Sequence, residues 1–234
     1  MTEFRPGSFQ ILPTAIKNLI IINVLVFLAQ SIVGNNLGFS FDDVFALHSW
    51  QSDLFKPWQF VTHLFMHGSI GHIFSNMFAL WMFGSILENL WGPKRFITFY
   101  IACGLGAALC HMIVLYVENQ HLLQQFNTLN AFEQSQYRHA LSLRLDEPTV
   151  GASGAVFGCL AAFGFLFPNT YIYLYFFIPL KAKWFVIIYA GFELTQAIQN
   201  SAGDNVAHVA HLGGALVGIL LVWFWNKNNK RNFY

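Results

Sequence analysis

Apolar residues in this chain fall in long unbroken runs rather than on one face of helices or strands. A helix needs about 20 predominantly apolar residues to cross the hydrocarbon of a bilayer. By that measure the chain holds six spans, at approximately 16–34, 71–90, 96–117, 150–167, 184–199 and 206–225, the fifth being short. The run YIYLYFFIPL before the fifth span is too short to cross and is interrupted by Pro179, so it reads as an interfacial loop segment. Two polar intervals are long. Residues 35–70 contain HSWQSDLFKPWQFVTHLFMHGS, rich in Trp and Phe and suited to the membrane interface. Residues 118–148 are the most polar stretch, with helical spacing around LNAFEQSQYRHALSLRL. With no repeat and no low-complexity linker, residues 1–234 read as one domain, an all-α membrane protein of six transmembrane helices.

Charge gives the spans a direction. Six alternating spans put Arg5, Lys17, Lys94, Arg95, Lys181, Lys183, Lys227, Lys230 and Arg231 on one side, and only Lys56, Arg138 and Arg144 on the other. Cytoplasmic loops carry the excess of Lys and Arg, so both termini are expected in the cytoplasm. Composition agrees: 56% of residues are hydrophobic and 10% charged, against roughly 25% charged in a soluble domain. A net charge of +1 gives no electrostatic footing for a nucleic-acid partner. The lipid bilayer is the partner this composition does imply. Cys103, Cys110 and Cys159 lie in apolar runs without metal-type spacing and read as buried small hydrophobes. The N-terminus has no short apolar segment followed by a small-residue cleavage site, so the first run reads as a retained helix.

Topology makes depth readable. Ser153 lies just inside span four, which begins on the non-cytoplasmic side. His208 and His211 open span six, and His72 and Asn76 open span two, from that same side. A serine, a histidine pair and a His/Asn pair therefore share one depth. A serine hydroxyl is a weak nucleophile until a base takes its proton, and histidine has the pKa for that task. The tetrahedral intermediate of acyl transfer needs hydrogen-bond donors aimed at its oxyanion. His72 and Asn76, four apart, lie on one helical face and both donate. The backbone N–H of Ser153, near a helix start, has no intrahelical partner and can join them. Small residues let membrane helices approach closely. Gly154 and Gly158 follow the serine, and Gly214 and Gly218 follow His211 on its own face, which draws Ser153 toward His211.

GASG at 151–154, AHLGGALVG at 210–218 and HGSIGHIFSN at 67–76 together resemble the rhomboid family of intramembrane serine proteases, over roughly residues 16–225. The resemblance implies a six-helix rhomboid-like bundle with a catalytic dyad and no third acid, Ser153 as nucleophile and His211 as general base. His72, Asn76 and the Ser153 backbone N–H would form the oxyanion hole, with Gly151, Gly154, Phe157, Gly214 and Gly218 in support. No metal and no cofactor are expected. The substrate implied is a transmembrane segment of another membrane protein, unwound near the non-cytoplasmic surface and cleaved after a small residue. A bacterial-type member would sit in the cytoplasmic (inner) membrane as a multi-pass protein. The family pattern A-H-x-x-G-x-x-x-G selects His211 over His208, because starting from Ala207 and His208 puts His211 where a glycine belongs. Two departures stand out: Trp58-Gln59 replaces the frequent Trp-Arg of the first loop, and Phe157 stands where many relatives carry a tyrosine against the histidine ring.

Plainer readings compete. A serine in a membrane helix usually bonds back to a carbonyl one turn earlier; matched depth and three ordered motifs favour chemistry for Ser153. His63, His67 and His72 suggest a metal site, but no cysteine or carboxylate lies at ligand spacing, and His63 and His67 read as hydrogen-bonded anchors of the first loop. Glu193, inside span five, reads as too deep to serve as a third catalytic member and is assigned a paired or protonated structural role. Glu88 also reads as structural. The alternatives are a catalytically silent rhomboid-like binder of membrane segments and a histidine-coordinated membrane metal protein. The intact Ser153/His211 pair argues against the first, and the lack of acidic or thiolate ligands against the second.

Overall fold

The computed structural model describes residues 9–36, 40–174, 177–199 and 208–228. In chain order the helices are α1 (Thr14–Asn36), the short α2 (Phe41–Phe45) and α3 (Gln59–Thr62), α4 (Ile70–Ala79), α5 (Ser85–Trp91), α6 (Pro93–Thr128), α7 (Ala131–Leu145), α8 (Ser153–Leu166), α9 (Ala182–Gln199) and α10 (His208–Asn228). A 3₁₀ turn at His63–Phe65 follows α3, and a π-helical turn at Leu80–Gly84 joins α4 to α5. The molecule is an all-α membrane bundle. Among the described residues four stretches are long and apolar enough to cross a bilayer: Thr14–Val33, Ile70–Trp91, Pro93–Thr128 and His208–Lys227.

The fourth sequence-read span, 150–167, proves shorter as a helix. α8 has 14 residues, about 21 Å of rise, less than the roughly 30 Å hydrocarbon core. It is apolar all round because it is the central helix: ten of its residues, among them Gly154, Gly158, Cys159 and Phe163, are buried. α6 and α10 pack along it, and α4, α9 and the π-helical turn complete its surroundings. Outward faces carry exposed apolar side chains such as Leu25 and Ile32 on α1, Ile188 and Phe192 on α9, and Leu220 on α10. Lipid, not water, suits such a surface.

Each end of the bundle is tied by polar contacts. At one end Glu88 accepts the backbone N–H groups of Ala15 and Ile16, at 2.9 and 2.8 Å, and so caps α1 from another helix. Asn89 bonds both ways with Gln10, and the Arg95 guanidinium lies 4.1 Å over the Trp225 ring. Gly92, at φ +78°, ends α5 in a conformation few other residues adopt, and Pro93 opens α6. At the other end the first loop folds over the start of α8: Leu47 bridges Thr149, and Gly151 N–H donates to His63 O at 2.9 Å. Gln59 is fully buried; its amide donates to Leu54 O at 2.9 Å while its oxygen accepts the Lys56 N–H at 3.0 Å. The glutamine thus clamps the first loop at the position where the sequence departs from Trp-Arg.

Two further elements depart from the sequence reading. The interfacial run is a β-hairpin, β1 (Tyr171–Leu174) with β2 (Ile178–Lys181), in antiparallel register from Tyr171↔Lys181 to Leu174↔Ile178. Alternating aromatic and aliphatic residues favour paired strands over a bare loop. The third span does not stop at 117: α6 runs to Thr128, since VENQHLLQQFNT contains no Gly or Pro to end it. Asn130 and Glu133 then form a capping box that starts α7, which returns toward the bundle with Arg144 paired to Glu118 and Glu147.

Candidate active site

Ser153 is the first residue of α8, preceded by Gly151 at φ +135°. Glycine is required there twice over. That φ disfavours any side chain, and a Cβ would stand 2.9 Å from His72 Cε1 and 3.0 Å from Nε2. As the first helical residue, Ser153 keeps a backbone N–H with no partner inside α8.

Glycine contacts set the spacing between α8 and α10. A Cβ on Gly214 would overlap the Gly154 carbonyl, and one on Gly218 would sit 2.7 Å from Gly158 O. The helices therefore touch backbone to backbone, and His211 Nε2 lies 2.8 Å from Ser153 Oγ. The Phe157 ring stacks flat on the His211 imidazole, centroids 4.2 Å apart and planes 4° from parallel. The aromatic contact survives without the tyrosine hydroxyl.

The opposite nitrogen of His211 corrects the expectation about Glu193. Nδ1 of His211 lies 2.8 Å from Glu193 Oε2, and Nδ1 of His208 lies 2.7 Å from that same oxygen. Glu193 is not too deep. It sits six residues above the end of α9 at Gln199, about 9 Å along the axis, while His211 is about 4.5 Å inside α10. The remaining offset is within reach of a glutamate side chain. A carboxylate at Nδ1 holds the imidazole proton there and leaves Nε2 as acceptor toward Ser153. The resemblance implied no third acid; the geometry supplies one. A carboxylate also stands beside two histidines, which removes the sequence argument that acidic metal ligands are lacking.

His72 occupies the first turn of α4, whose N-cap Ser69 accepts the His72 N–H at 3.1 Å. Gly68 N–H donates to His72 Nδ1 over a long 3.4 Å, which leaves the ring proton on Nε2. One turn on, Asn76 is buried, and among the described residues its Nδ2 has no hydrogen-bond partner. Buried amides rarely go unpaired. Two unspent donors thus line a cavity of about 560 Å³ together with Ser153, Gly151, Phe157 and His211.

The neighbouring histidines divide. His63 Nδ1 donates to Gln59 O at 2.7 Å, and burial pushes its pKa down to about 4. His67 is tied by its backbone N–H, which donates to Gln30 Oε1 at 3.1 Å, while both ring nitrogens lack hydrogen-bond partners among the described residues. The ring packs edge-on to His72 at 5.1 Å instead, and burial likewise lowers its pKa to about 4.

The rhomboid domain model matches residues 54–228, three quarters of the chain. Rhomboid-like protein 11, chloroplastic, of Arabidopsis thaliana is 34% identical over 185 residues, covering 74% of this chain and 54% of that protein. RHOMBOID-like protein 12, mitochondrial, of the same plant is 31% identical over 176 residues, covering 74% and 47%. Rhomboid protease GluP of Bacillus subtilis (strain 168) is 27% identical over 162 residues, covering 69% and 24%. The chain spans about half the length of the two plant relatives and less of the bacterial one. With its apolar bundle and this match over most of its length, the chain is an integral membrane protein that belongs to the rhomboid family.

Proposed function

We propose that this chain is an intramembrane serine endopeptidase that cleaves transmembrane segments of membrane proteins near the non-cytoplasmic surface. The observation that carries the reading is the 2.8 Å contact between His211 Nε2 and Ser153 Oγ at the wall of a cavity enclosed by apolar helices. His211 takes the hydroxyl proton as Ser153 Oγ attacks the scissile carbonyl. The oxyanion is met by His72 Nε2–H, Asn76 Nδ2–H and the Ser153 N–H. His211 then passes its proton to the departing amine, and water attacks the acyl-enzyme with His211 again as base. Glu193 holds Nδ1–H throughout and stabilises the imidazolium between the two transfers. The polar groups that line the cavity suit the admission of that water.

The nine-to-three division of Lys and Arg supports a reading with both termini in the cytoplasm and the site facing the opposite side. A bacterial inner membrane is the proposed location, whereas the plant relatives carry mitochondrial and chloroplastic in their names. The test is cleavage of a generic single-span substrate in proteoliposomes with chelator present, wild type beside Ser153→Ala. Cleavage by the wild type alone is the expected result; cleavage by both would remove Ser153 from the mechanism.

A further inference from the structure

Glu193, His208 and His211 place one carboxylate oxygen and one ring nitrogen of each imidazole within 4.8 Å of one another. Proteolysis uses only half of this group: the His211–Glu193 contact serves the serine, and His208 takes no part in the chemistry. His208 and His211 are three apart in the first turn of α10 and so share a face, while Glu193 reaches them from α9. Both Nδ1 atoms converge on the same Oε2, at 2.7 and 2.8 Å. Two imidazoles and a carboxylate make a three-ligand zinc set with the fourth position left for water. Metal–ligand bonds of 2.0–2.2 Å in a tetrahedron hold donor atoms about 3.3 Å apart, so each imidazole must move about half an ångström from the carboxylate oxygen while the two imidazoles, within 4.8 Å of each other, adjust to the same spacing. Among the described residues this is the one group of three such donors that converges. It borders the active cavity, whose wall includes His211 and Tyr189, the latter one turn before Glu193 on α9.

We propose that Glu193, His208 and His211 form a site for Zn²⁺ or a similar borderline divalent metal, and that its occupation switches the Ser153 centre off. The switching half rests on the protease reading above; the site itself does not. A neutral imidazole that binds a metal through Nδ1 carries its single proton on Nε2. His211 Nε2 faces Ser153 Oγ at 2.8 Å, so in the metal-bound state it donates to the hydroxyl and has no lone pair with which to take its proton. Without metal, Glu193 fixes the opposite tautomer. Metal and proton therefore compete for one nitrogen, and the same carboxylate serves both states. Imidazole donors select zinc, copper or nickel over magnesium or calcium.

The experiment uses the full chain in detergent, with Co²⁺ as the optical probe and Zn²⁺ in the cleavage assay. Wild type and Ser153→Ala should show the visible absorption of a four-coordinate cobalt centre. His208→Gln, which keeps a donor for Glu193 but loses the imidazole, should not. With about 100 µM zinc, wild-type cleavage should fall at least tenfold and recover with chelator, whereas His208→Gln should keep more than half of its own metal-free rate. An unchanged cobalt spectrum in His208→Gln overturns the site. A normal spectrum with zinc-insensitive cleavage overturns the switch. If the preparation cleaves nothing, the spectrum still decides the site, and failure of the protease reading is seen separately.

Discussion

His211 lies where two seams of the bundle meet, and the seams are held in different ways. Between α8 and α10 the contact is steric: Gly214 and Gly218 lie against the carbonyls of Gly154 and Gly158 with no room for a Cβ. Between α9 and α10 the contact at the site is electrostatic, one buried glutamate carboxylate shared by two imidazoles. Shape fixes how far Ser153 stands from His211, and charge fixes which nitrogen of His211 faces it. A hydrolytic serine needs both, and the two can be broken separately.

The largest effect should come from the atoms on which both seams converge. Ser153→Ala or His211→Ala should lower kcat by about 10⁴-fold or more with the protein still folded, measured as cleavage in proteoliposomes beside circular dichroism. Removing either should cost about as much as removing both. Next comes the steric seam. Gly214→Val would force a side chain into the Gly154 carbonyl, and backbone cannot give way as a flexible side chain can. The expected result is loss of activity together with a lower thermal midpoint, seen by unfolding in detergent.

The electrostatic seam should show a smaller and cleaner loss. Glu193→Gln keeps the volume but weakens the hold on Nδ1–H, so kcat should fall about 10²-fold with KM and the thermal midpoint little changed. A change in KM alone would assign Glu193 to substrate binding instead. The smallest effect concerns the first loop, away from both seams. His63 is buried neutral with its pKa lowered to about 4, against 6.5 when unfolded. The unfolded chain therefore binds the extra proton, and stability present above pH 6.5 is lost as pH falls toward 4, by about 3 kcal/mol at most. His63→Gln should flatten that slope in thermal unfolding between pH 7 and pH 4.

The steric seam was readable in the sequence and the electrostatic one was not. Glycines three and seven residues after His211, matched to glycines after Ser153, announce close approach because small residues let membrane helices meet backbone to backbone. Ser153, His72, Asn76 and His211 could be set at one depth by counting residues from span ends, and the structure gathers all four around one cavity. Glu193 defeated the same count. Counted along its own span it falls near mid-membrane, and the reach of a glutamate side chain covers the remaining offset to His211. A usable signal was present: a lone carboxylate in an apolar helix must find donors, and His208 and His211 were the nearest histidines in the chain. The pairing of Tyr171–Leu174 with Ile178–Lys181 does not follow from the run's length and Pro179; its signal is the strand-like alternation of aromatic and aliphatic residues. The extension of α6 to Thr128 was missed because hydropathy ends at the membrane surface whereas helix propensity does not.

The central claim is that His211, held by Glu193, activates the hydroxyl of Ser153. It is tested most directly by the rate at which a serine-directed fluorophosphonate labels the protein, with the adduct located by mass spectrometry. Wild type should label at Ser153, Glu193→Gln markedly more slowly, and His211→Ala not at all. Equal labelling of wild type and His211→Ala, or an adduct on any other serine, would contradict the account.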